Sequence, residues 1–382
     1  MAPSGPLVGI RVVELAGLGP SPYACMLLAE LGADVIKVDR PGGGDSGTPA
    51  LQQALNRSRP SIIIDLKSSE GRDVLLRLVD SADVLVEGLR PGVTERLQLG
   101  PDDCLVRNPR LVYARMTGWG QDGPLALTAG HDINYLSLTG ALHAIGTTEQ
   151  PIPPLNIGAD FGGGSMFLLM GILAALVERV TSGVGQVIDA AMVDGASSLI
   201  TMVYGMLAAG RWVDQRQSNL LDGGAPFYGT YVCSDGGHLA VGAMEPQFYA
   251  QMLRGLGLQD VLPGTQHERV RWAEQRRIIA ERIATRTRDE WAAIFDGSDA
   301  CVTPVLGLLE AAKHPHLAAR DTFFDNNGTP QPNPAPRFSR TPAAVRCSPR
   351  SVGADTTQAL TAWGIPAEEV DALLRSGAAI QN

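Results

Sequence analysis

The strongest constraint in this sequence is the alternation of short β-rich runs with helical segments over its first half. Helical patterns at residues 20–31 and 69–82 separate the first runs. The β-rich runs are residues 10–15, 34–39, 61–66, 83–86, 111–116 and 185–191. Strands that alternate with helices predict a parallel sheet with right-handed crossovers. We therefore predict an α/β fold, with a large Rossmann-like domain over residues 1–191.

The pattern changes after residue 211. Runs at 227–232 and 238–241, joined by a Ser-Asp-Gly-Gly turn, predict a hairpin. Helices are predicted over 246–256, 271–287 and 287–295, and a strand over 302–306, which together indicate a smaller α+β domain. The predicted boundaries are a linker helix at 192–221, the small domain at 222–318, a linker at 319–342 and a C-terminal segment at 343–382 that returns to the large domain.

Composition excludes some partners. The 382 residues carry a formal net charge of −9, which argues against general affinity for nucleic acid. Basic residues still gather locally, at Arg40, Arg57, Arg59 and Lys67. The longest apolar stretch, residues 166–177, has about half the length needed to span a bilayer, so we expect no membrane partner. The strongly apolar helical pattern at 167–179 predicts a helix packed on both sides. Five scattered cysteines without a CxxC pair, and no secretory signal, predict a cytoplasmic protein.

Several familiar catalytic constellations are absent from the sequence. There is no phosphate-binding P-loop, no GxSxG elbow, no HExxH motif and no convincing metal-ligand spacing, so we expect neither a metal nor a redox cofactor. The turn at residues 17–22 lacks the third glycine of the dinucleotide fingerprint, although Asp39 lies at about the right distance to bind a ribose. A tight strand-to-helix turn is favoured over a nicotinamide site.

Two proton-transfer groups stand out within the predicted large domain. His131 follows a Gly-rich loop at 117–124, and Asp160 directly precedes the run Phe161-Gly162-Gly163-Gly164. Both look like helix starts, where a side chain points out of the fold. Residue type alone leaves two readings open, because a structural histidine and an aspartate that caps a helix are common. The alternative reading is a site that moves protons at one carbon.

Polar residues also end two of the predicted strands. Arg40 follows the strand at 34–39, and Lys67 follows the strand at 61–66. Open α/β sheets bind ligands at the carboxyl edge of their strands, where a guanidinium and an ammonium can hold a phosphate between them. Surface ion pairs explain the same residues equally well.

Long and unusual strings give the chain a resemblance to a known family. They include Ala129-Gly130-His131-Asp132-Ile133-Asn134-Tyr135 and Ala159-Asp160-Phe161-Gly162. The others are residues 12–15, 38–41, 65–67, 90–93, 113–121, 221–228, 245–249 and 299–305. Over almost the whole chain to about residue 343, the sequence resembles the α-methylacyl-CoA racemases of the family III CoA-transferase superfamily.

This resemblance implies a role for each matching residue. His131 and Asp160 match the two catalytic bases, Glu245 the carboxylate that orients the histidine, and Tyr228 a tyrosine near the aspartate. Asp132 is expected in the same catalytic group. The amides of the helix that begins near it are expected to bind an enolate oxygen. The implied CoA-binding positions are Arg40, Ile64, Asp65, Leu66, Lys67, Gly130, His131, Asp132, Ile133, Asn134 and Tyr135.

The resemblance also implies an assembly and a reaction. The family forms an interlocked homodimer, in which Glu245 and Tyr228 would come from the partner chain. The expected reaction interconverts the (2R) and (2S) forms of 2-methylacyl-CoA thioesters by 1,1-proton transfer through an enolate, with CoA as part of the substrate and no other cofactor. A free aspartic acid has a pKa of about 3.9 and is a poor acid at neutral pH, so burial or nearby negative charge must raise that pKa.

Two other functions are alternatives to racemisation. In a CoA-transferase, Asp160 would be a nucleophile that forms mixed anhydrides, and His131 would have no evident task. A non-catalytic CoA-binding protein would retain the fold without needing the proton-transfer groups.

Overall fold

The chain divides into two units, each with a β-sheet of its own. The computed structural model describes residues 4–43, 54–262 and 264–382. The first unit contains Met1–Thr139, Pro154–Ile200 and Asn333–Asn382, and the second contains Gly140–Pro153 and Thr201–Pro332. The segment 192–221, predicted as a linker helix, is thus shared between the units.

A seven-stranded sheet forms the framework of the first unit. Its parallel strands are β1 (Arg11–Leu15), β2 (Asp34–Asp39), β3 (Ser61–Ile64), β4 (Val84–Glu87), β5 (Val112–Thr117) and β6 (Val187–Ala191). They confirm the predicted parallel sheet, and their order is β3-β2-β1-β4-β5-β6. The direction of winding reverses between β1 and β4, and ligands in such sheets bind outside the carboxyl ends of the strands at that reversal.

A short antiparallel strand, β12 (Ala379–Ile380), completes the sheet beside β3. The backbone amide of Asp65 donates to the carbonyl of Ala378 at 2.8 Å. Thr356 adds a second tie, because its hydroxyl lies 2.6 Å from the carbonyl oxygen of Ile380 and accepts a hydrogen bond from the amide of Ile63. The C-terminal segment is therefore part of the first unit.

Helices of the first unit pack on this sheet and on one another. They are α1 (Pro20–Glu30), α2 (Ser69–Asp80), α3 (Val93–Arg96), α4 (Pro101–Arg107), α5 (Asp132–Leu138), a π-helix (Ile157–Ser165), α7 (Met166–Ser182), α8 (Met192–Leu199), α15 (Thr356–Ala362) and α16 (Ala367–Ser376). In α2 the helical spacing of Val74, Leu75, Leu78 and Val79 buries all four. Burial of each such side chain stabilises the fold by about 1.5–3 kcal/mol.

The π-helix and α7 form one continuous apolar run. By length and composition alone, Ile157–Ser182 is long and apolar enough to cross a membrane, with an 18-residue window of mean hydropathy 1.7, but core helices pass the same test. In the structure 44% of that window is buried. Met170, Val177 and Val180 stay 58%, 72% and 84% exposed. The prediction that this helix packs on both sides within the chain was wrong, because the described residues cover one side only.

The second unit packs helices against a three-stranded antiparallel sheet. The predicted hairpin is confirmed as β7 (Tyr228–Val232) and β8 (His238–Gly242), and β9 (Val302–Pro304) pairs with β8. Its helices are α6 (Ala141–Ala144), α9 (Thr201–Ala208), α10 (Pro246–Leu256), a 3-10 turn (Arg269–Arg271), α11 (Trp272–Ile283), α12 (Arg288–Phe295), α13 (Leu308–Ala311) and α14 (Pro315–Ala319). Within the predicted 319–342 linker, β10 (Phe323–Asn326) and β11 (Thr329–Pro332) form a second hairpin.

Candidate functional site

Asp160 lies at the carboxyl edge of the large sheet, beside the turn that follows β1. A Cβ atom added to Gly19 in that turn would lie 3.6 Å from Oδ2 of Asp160. The hydroxyl of Ser165 donates to the carbonyl of Pro20 at 2.8 Å, and the rings of Tyr23 and Phe161 are 4.8 Å apart. These contacts fasten the π-helix to the start of α1. Asp160 therefore stands at the reversal between β1 and β4, where a ligand is expected.

The Gly-rich run after Asp160 permits close packing of the π-helix against α8. A Cβ atom on Gly195 would fall 1.9 Å from the carbonyl oxygen of Gly163, and one on Gly163 would fall 2.5 Å from the amide of Ala196. No side chain fits at either position without displacement of a backbone. The two backbones therefore touch directly, and this contact sets the height of Asp160 above the sheet.

Tyr135 anchors the loop that carries His131. Its hydroxyl donates to the carbonyl of Gly130, and its ring meets Trp119 edge-on with centroids 4.8 Å apart. A Cβ atom on Gly118 would lie 2.2 Å from the Tyr135 ring, so only glycine fits there. The Gly-rich sequence before His131 thus lets the chain wrap closely around one aromatic side chain.

His131 is the N-cap residue of α5, as the sequence predicted. Its backbone amide donates to Oδ1 of Asn134 at 3.1 Å, and the amide of Asn134 donates to the carbonyl of His131 at 2.8 Å. This reciprocal pair fixes the first turn of α5 and leaves the imidazole exposed. Since α5 has only seven residues, the expected role of its amides at an enolate oxygen stays a prediction.

Asp132, the first residue of α5, connects the two helix starts. Its Oδ2 accepts hydrogen bonds from the amides of Ala159 and Asp160, both at 2.8 Å. The side chain is 7% exposed, and its Oδ1 has no hydrogen-bond partner within the described part of the chain. His131 and Asp160 are therefore held in the same region of the first unit by the residue between them.

The pKa of Asp160 is raised above its ordinary value of 3.8. Burial of the carboxyl is the largest cause, and the negative charge of Asp132 acts in the same direction. A hydrogen bond from Asn156 at 3.4 Å and the charge of a protonated His131 lower the pKa. Burial and a neighbouring charge are the two influences that a proton donor at this position requires.

Tyr228 and Glu245 lie in the second unit, at the same end of the β7–β8 hairpin. Tyr228 begins β7 and pairs with Gly242 at the end of β8, and Glu245 follows shortly after. Glu245 is exposed at the start of α10 and does not cap that helix with its side chain. The prediction that a partner chain presents these two residues to His131 stays a prediction.

The positions expected to bind CoA lie at the carboxyl edge of β2 and β3. These neighbouring strands are parallel, so Arg40 and the 65–67 segment leave the sheet at the same edge. Arg40 and Lys67 are exposed, whereas Ile64 is buried in the sheet. Within the described part of the chain, this arrangement leaves two exposed cationic side chains available to an anion at this edge.

Three nearby charged side chains form ion pairs or hydrogen bonds within the first unit. The buried carboxylate of Asp39 accepts from Lys37 and from the Ser61 hydroxyl, each at 2.8 Å, so it is not free to bind a ribose. Buried Arg59 pairs with Glu14 at 3.0 Å, and buried Arg57 pairs with Glu30. Of the basic cluster read from the sequence, Arg57 and Arg59 therefore serve the packing of the first unit.

The hydrogen bonds from the amides of Ala159 and Asp160 to Asp132 could not be predicted from the sequence. The hydrogen bonds that its carboxylate accepts join residues 27 and 28 positions apart in the sequence. No sequence motif indicates such a spacing. Among residues 4–43, 54–262 and 264–382, no group of three or more His, Cys, Asp or Glu side chains is placed to hold a metal ion. The expected absence of a metal or redox cofactor stays a prediction.

Comparison with known proteins places the chain in a family. A family profile described as CoA-transferase family III matches residues 7–356. The α-methylacyl-CoA racemases of Mus musculus and Homo sapiens are 48% and 45% identical to this chain, and each alignment covers 95% of both proteins. The crystal structure of a CAIB/BAIF family protein from Brucella suis superposes with a TM-score of 0.81 at 26% identity, over 94% of this chain and 100% of that one. This chain belongs to the family III CoA-transferases.

Proposed function

We propose that this protein is a racemase that interconverts the (2R) and (2S) forms of 2-methylacyl-CoA thioesters. The observation that carries the proposal is the pair of unlike proton-transfer groups, His131 and Asp160, held at the edge of the sheet by one buried carboxylate. The 48% identity to the mouse racemase over nearly the whole chain supports the same reaction.

The proposed mechanism uses one base on each face of the α-carbon. One group removes the α-proton, the negative charge moves to the thioester oxygen as an enolate, and the other group returns a proton to the opposite face. Neutral His131 with protonated Asp160 serves one direction, and imidazolium with carboxylate serves the other. The raised pKa of Asp160 supports this exchange because it favours the protonated form. CoA enters as part of the substrate.

We propose that Arg40 and Lys67 hold the phosphates of CoA at the edge formed by β2 and β3. Their exposure and their shared edge support this assignment. Replacement of both by alanine should raise KM for the acyl-CoA at least about tenfold, since a hydrogen bond to a charged group contributes about 1.5–3 kcal/mol. The same acyl group on pantetheine, which has no nucleotide, should be turned over equally by both proteins. Equal losses on both substrates would contradict the assignment.

We propose that the active protein is a homodimer. In the first unit, α7 exposes Met166, Met170 and Val177, which line a cavity of about 640 Å³ along the helix. In the second unit, none of the described side chains of α9 is buried, although its sequence is mainly apolar. Apolar side chains left exposed on these two helices support a contact surface between chains. A second chain would also bring Tyr228 and Glu245 to the site.

The decisive experiment incubates one stereoisomer of a 2-methylacyl-CoA with the protein in deuterium oxide. Racemisation predicts deuterium at the α-carbon together with loss of optical purity. His131→Ala should abolish both signals and Asp160→Ala should greatly reduce them, because a positioned general acid or base contributes about 10²–10⁴-fold. His316→Ala, which changes an exposed histidine on α14, should behave like the wild type.

The same incubation separates the rival functions when a free carboxylic acid is added. Transfer of CoA to that acid with retention of the α-proton would replace the racemase proposal with a CoA-transferase in which Asp160 is the nucleophile. Membership of the family III CoA-transferases is the observation that keeps this alternative open. If neither reaction occurs while the acyl-CoA binds, the protein is a CoA-binding protein.

A further inference from the structure

A single buried carboxylate joins the starts of two helices. Asp132 opens α5, directly after His131, and its Oδ2 accepts from the amides of Ala159 and Asp160 in the first turn of the π-helix. The first amides of a helix have no partner within that helix. Asp132, the first residue of α5, therefore caps the π-helix that carries Asp160. His131 is the N-cap residue of α5.

Capping alone does not require a carboxylate at this position. One acceptor oxygen satisfies both amides, and the amide side chain of asparagine would supply it. The carboxylate also leaves Oδ1 buried without a hydrogen-bond partner among the described residues, and a buried polar atom without a partner is unfavourable. The capping of the two amides therefore does not account for a carboxylate at this position.

The charges around Asp160 are few. Asp132 and His131, both at the start of α5, are the two charged groups that act on its carboxyl. Tyr135 on the same helix stays neutral, because burial and then the charges of Asp160 and Asp132 raise the pKa of its phenol. The other elements packed against the π-helix carry Tyr23, Glu30, Glu178, Arg179, Asp189 and Asp194, and none of these contributes to the pKa of Asp160. Among the described residues, Asp132 is therefore the one negative charge that acts on the carboxyl of Asp160.

We propose that Asp132 is a positioning residue for proton transfer, whose carboxylate fixes the spacing of the helix starts at His131 and Asp160 and keeps Asp160 able to carry a proton. The inference rests on the proposed racemase function. Asp132 is the group that brings the proton affinities of the two bases closer together. Asp132 acts through Asp160 and His131 and does not itself exchange a proton with the substrate.

The need for such a residue follows from the two kinds of base. A free aspartic acid and a free imidazole differ in pKa by about 2.6, so a proton shared by such a pair would favour the imidazole by roughly 400 to 1. A racemase must pass through both arrangements of that proton in each catalytic cycle. Each unit by which the carboxyl pKa rises makes the rarer arrangement ten times more common. A fixed negative charge beside the carboxyl provides this bias in the resting protein.

The test is Asp132→Asn, which keeps an acceptor for both amides and removes the charge. The pH profile of kcat/KM should keep its alkaline limb, while its acidic limb, which reports the carboxyl of the free enzyme, moves to lower pH. At pH 7 we expect kcat to fall about tenfold, a part of the 10²–10⁴-fold that a general acid contributes, with KM within about twofold of the wild type. Both reaction directions should lose the same factor, because the equilibrium between the stereoisomers is unchanged.

Controls separate this role from packing and from the reaction itself. Asp102→Asn, at an exposed position of α4, should leave the profile unchanged. Loss of activity in Asp132→Asn with an unmoved acidic limb would overturn the proposal, as would wild-type activity and profile. A ¹³C titration of the Asp160 carboxyl, assigned with Asp160→Asn, should show a lower midpoint in Asp132→Asn. This titration tests the effect of Asp132 on Asp160 even if the wild type does not racemise the substrate. An unchanged midpoint would overturn the inference.

Discussion

At the scale of single residues, the site depends on a carboxyl group that the fold makes harder to ionise. Asp160 is partly buried and faces the charge of Asp132, and both raise its pKa. A carboxyl whose pKa rises on folding binds its proton more tightly in the folded protein than in the unfolded chain. Its contribution to stability is complete below the unfolded pKa and is lost as pH rises through the folded pKa. The ionised site is therefore maintained at the expense of stability.

This linkage predicts the behaviour of Asp160→Asn. The variant should have a higher Tm than the wild type at pH 7, because it removes an ionisation that the fold opposes, and the difference should shrink as pH falls toward the ordinary value of 3.8. Thermal unfolding from pH 4 to pH 7, with Asp102→Asn as the exposed control, measures the effect. A variant less stable than the wild type at pH 7 would contradict the sign.

At the scale of secondary structure, the contact between the π-helix and α8 positions Asp160. Gly195→Ala would place a methyl group 1.9 Å from the carbonyl oxygen of Gly163, so one backbone must move. We expect unfolding free energy to fall by about 1–3 kcal/mol, as for overpacked cores, and kcat to fall with it. Gly205→Ala on α9 meets no atom within 4 Å, so urea unfolding should show unchanged or greater stability. Wild-type values for Gly195→Ala would refute this account.

The same scale shows what the sequence can and cannot reveal. Local pattern predicted the six parallel strands and the β7–β8 hairpin, because strand composition and turn residues are local properties. It also predicted that His131 begins a helix. It missed β10 and β11 because proline-rich strands resemble a linker. The hydrogen bonds from Ala159 and Asp160 to Asp132 could not be predicted, because they depend on how distant segments meet in the fold.

At the scale of the whole molecule, sequence could not say which apolar side chains meet solvent. The residues of α7 are apolar around most of the helix, so a buried helix and a helix at a contact between chains have the same pattern. Only the fold reveals that the described residues leave the side with Met170 and Val177 exposed. The proposed homodimer gives that side a partner.

Met170→Glu tests the proposed homodimer. Since Met170 is 58% exposed, a charge there should leave the single chain folded, yet it would be buried without a partner in a dimer. Light scattering should show the wild type as a dimer and the variant as a monomer that lacks racemase activity. Val106→Glu, at an apolar position of α4 that is 84% exposed, should remain dimeric. A wild type that is monomeric and active would end the proposal.

The strand that completes the large sheet has a consequence for synthesis on the ribosome. The amide of Ser61 donates to Oδ2 of Asp355, 294 residues later, and β12 follows further still. At 5–20 residues per second, β3 waits about 15–60 s for these neighbours. Throughout that interval a nascent chain presents an open strand edge, the kind of surface that aggregates or recruits chaperones. The loop at Asp65–Lys67 can be completed only after residue 380 has been translated.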